Sequence, residues 1–272
     1  MGTIIQRDFT GEAMGLLVFI GLGLHDEDDI TVKGLEQARE CDILFTEFYT
    51  SHMREGVKEE LEKKIGKEII VLSREDVEAG DIILLEAKER TVGFLVPGDA
   101  MSATTHVDLR IRAEKDGIRT RIIHGVSIVT VATGLLGLQS YKFGRTTTLP
   151  FRQKGYFPTS PYDVIKRNKD IGLHTLVLLD LKESGETMSV REAIDYLMRL
   201  ETTKKEGVVT KESVVCALGD VGSDNPEVVC DRMEKLAAKK FESQIFCLVL
   251  PAELHFMEKE ALQVLAGAPE DM

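Results

Sequence analysis

Residues 16–47 read LLVFIGLGLHDEDDITVKGLEQARECDILFTE, and this stretch decides the fold class. It opens with a short apolar run that ends at Gly21, a pattern typical of a buried strand. Asp29 and Thr31 can cap a following helix. Three apolar side chains of that helix fall on one face at helical spacing: Val32, Leu35 and Ala38. A second apolar run at residues 43–48 completes a strand–helix–strand unit.

The same alternation continues through the first half of the chain. Further strands are predicted at residues 69–72, 91–96 and 119–124. Helices are predicted at residues 59–65, 81–90, 103–115 and 127–138. In the helix at residues 103–115 we expect Val107, Leu109 and Ile111 to face inward. Strands that alternate with helices in this way predict a mostly parallel sheet covered by helices.

The middle of the chain is different, because residues 141–162 contain five glycine and proline residues. Long regular elements are not expected there. The alternation then resumes, with strands predicted at residues 174–181, 213–218 and 245–250, and helices at residues 190–200, 227–239 and 252–265. We therefore predict two α/β domains, residues 15–125 and residues 126–272, preceded by an extension or tag at residues 1–14.

Composition excludes several classes of protein. The 272 residues carry 34 Lys and Arg against 46 Asp and Glu, a formal net charge of −12, which disfavours a broad nucleic-acid surface. The longest apolar runs have the length of a strand, so no membrane span is predicted. Residues 1–15 have no continuous apolar core and predict no secretory signal. The four cysteines lack metal-ligand spacing, which predicts reduced, buried thiols in a cytoplasmic, metal-free protein.

Candidate ligand loops follow four predicted strands, where open α/β sheets bind ligands. They are residues 21–24 (GLGL), 97–106 (PGDAMSATTH), 124–128 (HGVSI) and 217–223 (ALGDVGS). The first lacks the third glycine of the dinucleotide fingerprint. The third leads into a helix whose free N–H groups suit a carboxylate. The residues alone indicate a ligand cleft, and leave open whether the chain is an enzyme or a non-catalytic nucleotide-binding or scaffold protein.

Stretches in order along nearly the whole chain after Met14 resemble the diphthine synthase family. The resemblance is carried by residues 17–51, 72–78 (LSREDVE), 97–106, 124–128, 137–144 (GLQSYKFG), 172–182 (GLHTLVLLDLK), 188–190 and 254–255. One departure is Ala100, which stands where the family loop has a second proline. The substitution loosens the backbone beside Asp99.

The resemblance implies an α/β protein with the tetrapyrrole methylase fold, in which two α/β domains have the cofactor cleft between them. It implies S-adenosylmethionine as the cofactor, S-adenosylhomocysteine as its product, and a homodimer. The positions that match the family's cofactor contacts are Leu24, Asp99, Ser102, Ser127, Ile128, Leu179, Leu218, Gly219 and His255.

The activity implied is transfer of methyl groups to the amine of an aminocarboxypropyl group on a histidine of translation elongation factor 2. Three transfers give diphthine, with no direct contact to nucleic acid. Four cations of the middle segment are candidates for contact with this protein substrate: Lys142, Arg145, Arg152 and Lys154. The sequence nominates no general base. A methyltransferase of the same fold that acts on a corrinoid precursor or on ribosomal RNA is the alternative.

Overall fold

The structure is a computed structural model that describes residues 15–51, 53–153, 155–182 and 184–272. The predicted extension at residues 1–14 and the candidate cation Lys154 lie outside the described residues. The chain divides into two compact units, the first ending at Ser127 and the second beginning at Ile128.

The first unit is built on a five-stranded parallel sheet in the order β3-β2-β4-β1-β5. The strands are β1 Leu16–Gly21, β2 Ile43–Thr46, β3 Ile70–Val71, β4 Thr91–Val96 and β5 Arg119–Ile123. The helices are α1 Val32–Glu40, α2 Val57–Ile65, α3 Arg74–Ala79, α4 Asp81–Ala87 and α5 His106–Lys115. Strand β1 lies between β4 and β5, and its apolar side chains from Leu17 to Ile20 are fully buried. The predicted parallel sheet is confirmed for this unit.

Two helices of the first unit bury faces that agree only in part with those predicted. Val32 is 74% exposed, and α1 instead buries Gly34, Gln37 and Ala38. In α5 the predicted inward residues Val107 and Ile111 are about half exposed, whereas His106, Leu109 and Ala113 are buried. The predicted faces are thus confirmed at Ala38 and Leu109 and wrong at Val32, Val107 and Ile111. In each helix the buried residues lie three or four positions apart along one face, starting from Gly34 in α1 and from His106 in α5.

The second unit is built on a mixed sheet in the order β6-β7-β10-β8-β9. The strands are β6 Thr147–Leu149, β7 Thr175–Leu179, β8 Val214–Gly219, β9 Glu227–Arg232 and β10 Phe246–Leu250. The helices are α6 Ile128–Leu136, α7 Ser160–Asp170, α8 Val190–Lys204, α9 Met233–Ala238 and α10 Phe256–Ala266, with a 3₁₀ turn at Ser140–Lys142. Strand β10 is antiparallel to both β7 and β8, so these two run parallel to each other.

One prediction for the second unit was wrong. The helix predicted at residues 227–239 is strand β9 followed by the short helix α9. Strand β9 pairs antiparallel with β8, which places the buried Cys230 opposite Cys216 with their Sγ atoms 2.7 Å apart. Among its described residues, the middle segment 141–162 contains only short pieces of regular structure, namely the 3₁₀ turn, β6 and the start of α7, which agrees with the prediction. Pro161 occupies the first turn of α7. A proline is tolerated there because a first-turn N–H has no partner inside the helix.

The four cysteines, Cys41, Cys216, Cys230 and Cys247, are free and buried, as predicted. In the described part of the chain, no helix is long and apolar enough to cross a membrane. The same residues contain no group of three or more His, Cys, Asp and Glu side chains that could hold a metal ion.

Candidate functional site

Three loops meet backbone to backbone at the carboxyl edge of the first sheet, after β1, β4 and β5. Gly98 donates its N–H to the carbonyl oxygen of Gly23 at 2.6 Å, and Gly23 donates back to Gly98 at 3.2 Å. A Cβ on Gly21 would lie 2.5 Å from the backbone nitrogen of Gly125 and 2.7 Å from the carbonyl oxygen of Gly98. A Cβ on Gly125 would lie 2.3 Å from that same oxygen. Only glycine permits so close an approach, so these residues form a glycine contact that packs the three loops together.

Asp99 and His124 face each other across this contact. Their strands β4 and β5 lie on opposite sides of β1, and the two loops close over the end of β1 at Gly21. The His124 Nδ1 atom lies 2.7 Å from Asp99 Oδ2. The other carboxylate oxygen, Oδ1, accepts the N–H of Met101 at 2.9 Å and the hydroxyl of Ser102 at 3.4 Å. Burial by itself would raise the pKa of Asp99, but the hydrogen bonds from Met101 and His124 outweigh it and hold that pKa below its usual range. Asp99 is therefore an ionised carboxylate at neutral pH.

Side-chain hydrogen bonds shape the loop after Asp99. They converge on Ala100, the position at which the family resemblance places a second proline. Ala100 is fully buried. Its carbonyl oxygen accepts the Thr104 hydroxyl and lies 3.4 Å from His106 Nδ1. Ala103 has a positive φ of 57°, so the backbone turns sharply before α5 begins. The geometry of the loop is thus fixed by Asp99 at one end and His106 at the other.

His106 belongs to a buried polar pair with Glu47, which follows β2. Glu47 is fully buried and accepts the N–H groups of Tyr49 and Thr50, each at 3.0 Å, as well as the Thr50 hydroxyl. Burial raises the pKa of Glu47 and lowers the pKa of His106 to about 4. His106 Nε2 lies 4.0 Å from Glu47 Oε1. His106 is therefore neutral near pH 7, so its Nδ1–H can donate to the loop carbonyl.

Leu24 lies in the loop that follows β1. The N–H groups of Leu24 and His25 both donate to Asp29 Oδ2, at 3.0 and 2.7 Å. Asp29 therefore holds this loop, while Thr31 caps α1. Of the predicted cofactor contacts in the first unit, the loops bring together Leu24, Asp99 and Ser102, and Ser127 follows three residues after His124.

Three of the five predicted cofactor contacts in the second unit lie at one edge of its sheet. Leu179 ends β7 and the pair Leu218–Gly219 ends β8, so these residues lie at the same edge of the mixed sheet. His255 follows β10, which runs the other way and pairs its Leu250 with Thr175 at the start of β7. His255 therefore lies at the opposite edge, where its ring accepts the N–H of Met257 as the cap of α10. Ile128 opens α6. The cofactor roles of these five residues stay predictions.

Sequence reasoning missed the buried carboxylate of Glu258, which joins three parts of the second unit. It accepts Lys142 Nζ at 2.7 Å and the Gln139 N–H at 2.9 Å, and it lies 3.1 Å from His174 Nε2. Burial alone would raise the pKa of Glu258, but these hydrogen bonds lower it to about 2. Lys142, a predicted contact for the protein substrate, is thus committed to an internal ion pair. The available signal was the position of Glu258 three residues after a helix cap.

The pairing of Asp99 with His124 was also missed, because only the order of the strands brings residues 25 positions apart into contact. Both residues lie in the predicted ligand loops, residues 97–106 and 124–128. Together they form a histidine ring that is hydrogen-bonded to an ionised carboxylate. The hydrogen bond fixes the orientation of the ring, and such a ring can accept and release a proton.

Comparison with known proteins identifies the family. Residues 16–218 match the family of tetrapyrrole (corrin/porphyrin) methylases. A diphthine synthase of Methanocella arvoryzae is 47% identical over 254 residues, which cover 93% of this chain and 98% of that protein. A diphthine synthase of Methanosarcina barkeri is 45% identical over 259 residues, covering 93% and 97%. A crystal structure of diphthine synthase superposes with a TM-score of 0.86 at 40% identity, covering 94% of this chain and 98% of that one. The chain therefore belongs to the tetrapyrrole methylases and, within them, to the diphthine synthase family.

Proposed function

We propose that the chain is a methyltransferase of diphthamide biosynthesis. It uses S-adenosylmethionine to methylate the amine of an aminocarboxypropyl group on a histidine of translation elongation factor 2, and three transfers give diphthine. The observation that carries the proposal is the ionised Asp99, presented by loops in glycine contact at the sheet edge. The chain that presents it is 47% identical to a diphthine synthase over 93% of its length.

The charge at this edge supports a cofactor site. The glycine contact packs the three loops together, and Asp99 beside it supplies a charged acceptor for hydroxyl or ammonium groups. We propose that Leu24, Asp99, Ser102 and Ser127 hold the cofactor. Ile128, Leu179, Leu218, Gly219 and His255 are the contacts that the family resemblance adds. When bound, the cofactor supplies a methyl group already activated on a sulfonium centre.

Positioning is the main contribution that this chemistry asks of the protein. Holding two reactants in a reactive geometry can lower a barrier by roughly 7–11 kcal/mol. Loops that touch through backbone atoms are suited to this, because they cannot shift independently of one another.

We further propose that the chain works as a homodimer in the cytoplasm. The family resemblance supports the dimer, and the free, buried thiols support a reducing compartment such as the cytoplasm. Arg145 and Arg152 are exposed and are the remaining candidates among the described residues for contact with elongation factor 2. Sedimentation velocity of the purified chain tests the dimer, and a single species of monomer mass would contradict it.

The test of the activity is the intact mass of elongation factor 2 that carries the aminocarboxypropyl-histidine, before and after incubation with the chain and S-adenosylmethionine. We expect a gain of three methyl groups, whereas a gain of four would indicate an added methyl ester. Asp99→Asn should weaken binding of S-adenosylhomocysteine at least about tenfold, because a hydrogen bond to a charged group contributes roughly 1.5–3 kcal/mol. Asp116→Asn is the matched control, since Asp116 is exposed at the end of α5.

An unchanged mass, with S-adenosylhomocysteine bound in calorimetry, would contradict the assignment of the substrate. A corrinoid precursor and ribosomal RNA would then be assayed in its place. Failure to bind S-adenosylhomocysteine would instead indicate a non-catalytic member of the fold.

A further inference from the structure

We propose that His124 is the proton acceptor of the methyl transfer, taking a proton at Nε2 from the ammonium group of the substrate. The inference rests on the proposed function and supplies the general base that the sequence does not nominate.

The first step of the argument concerns which nitrogen of the ring carries the proton. His124 Nδ1 lies 2.7 Å from Oδ2 of Asp99, and an ionised carboxylate only accepts hydrogen bonds. Nδ1 must therefore donate. In the neutral ring the lone pair is then on Nε2, which is the nitrogen able to receive a proton.

The second step concerns access. The side chain of His124 is 71% exposed, while that of Asp99 beneath it is 9% exposed. Nε2 therefore faces outward, where a substrate carried on another protein can reach it. His106 and His174 are fully or almost fully buried and are engaged inside their units. Neither can meet a group presented from outside.

The third step is the balance of protons. An α-amino group has a pKa of about 8, so the substrate arrives at neutral pH mainly as an ammonium without a free electron pair. Each transfer would form one N–C bond in place of one N–H bond, with the electron pair of the broken sulfonium S–C bond left on sulfur, so three transfers release three protons. His124 Nε2 accepts each proton, the Asp99 carboxylate stabilises the imidazolium, and exposure of the ring lets the proton pass to water before the next transfer.

His124→Asn separates this role from a purely positional one. The amide nitrogen of asparagine can replace Nδ1 as donor to Asp99, but no lone pair replaces that of Nε2. We expect kcat/KM for methylation of elongation factor 2 to fall roughly 100-fold at pH 7. The deficit should shrink as the pH rises past the pKa of the amine, because solvent then removes the proton. Mono- and dimethylated products should accumulate, and the affinity for S-adenosylhomocysteine in calorimetry should not change.

A variant that methylates as fast as the wild type at pH 7 would overturn the proposal. So would a deficit that is the same at every pH, or one that is matched by weaker S-adenosylhomocysteine binding, since either result indicates a positioning residue.

A second readout needs no turnover. Nitrogen-15 NMR of the histidine rings in the full chain should show the signal that His124→Asn removes as the tautomer protonated at Nδ1, and the opposite tautomer would overturn the assignment. If the wild-type chain adds no methyl group at all, the proposed function fails, whereas the tautomer measurement reports on His124 and Asp99 independently.

Discussion

Replacing Gly125 by alanine should damage the site although it adds only one methyl group. The new carbon would lie 2.3 Å from the carbonyl oxygen of Gly98 and 2.8 Å from the carbonyl carbon of Gly21, about 1 Å closer to the oxygen than ordinary contact allows. Both neighbours are backbone atoms, so no side chain can rotate to relieve the clash. Overpacking typically costs 1–3 kcal/mol. We expect a loss near the upper end, about 3 kcal/mol, together with separation of the three loops.

Gly134→Ala is the matched control, because a Cβ on Gly134 in α6 meets no atom within 4 Å. Alanine in place of glycine in a helix should stabilise the chain by roughly 0.5–1 kcal/mol. The same substitution should therefore raise the free energy of unfolding at position 134 and lower it at position 125. Urea denaturation followed by circular dichroism measures both, and calorimetry measures S-adenosylhomocysteine binding. We expect Gly125→Ala to lower both quantities and Gly134→Ala to leave binding unchanged. A Gly125→Ala variant with the midpoint and affinity of the wild type would refute the described contact between the loops.

Two further predictions concern buried groups of the chain. Hydrogen bonds lower the pKa of Glu258 from 4.5 to about 2, so its contribution to stability is complete above pH 4.5 and is lost as the pH falls toward 2. Wild-type stability should decline by roughly 3 kcal/mol across that window, and Glu258→Gln should show a flatter profile in acid denaturation; an equal slope would contradict the ionised carboxylate. The four buried thiols should resist a disulfide exchange reagent in the native chain and all react in denaturant, because burial raises the pKa of Cys41 and Cys247 to about 12. Rapid labelling of the native chain would show that a thiol is accessible.

The elements that sequence reasoning located best are those whose signal is local. Strands β1 and β4 were predicted with their observed bounds, because strands of a parallel sheet are buried on both faces and appear as continuous apolar runs. Strand β9 lies where the sequence pattern predicts a helix. It lies at the edge of the mixed sheet and its side chains are mostly half-buried, so pairing with β8 decides its conformation more than its own residues do.

For the candidate site, the sequence by itself determined which loops are candidates for ligand binding, because glycines, hydroxyls and charged residues directly follow apolar strands. Together with the family resemblance, it also predicted the cofactor and the candidate contacts. Only the tertiary structure decided that Asp99 meets His124, since the contact depends on β1 lying between β4 and β5 and ending in a glycine. It also decided that Lys142 forms an ion pair with Glu258 inside the second unit. Local patterns report how a segment buries its own side chains, whereas the partner of a polar group is set by which distant segment the strand order places beside it.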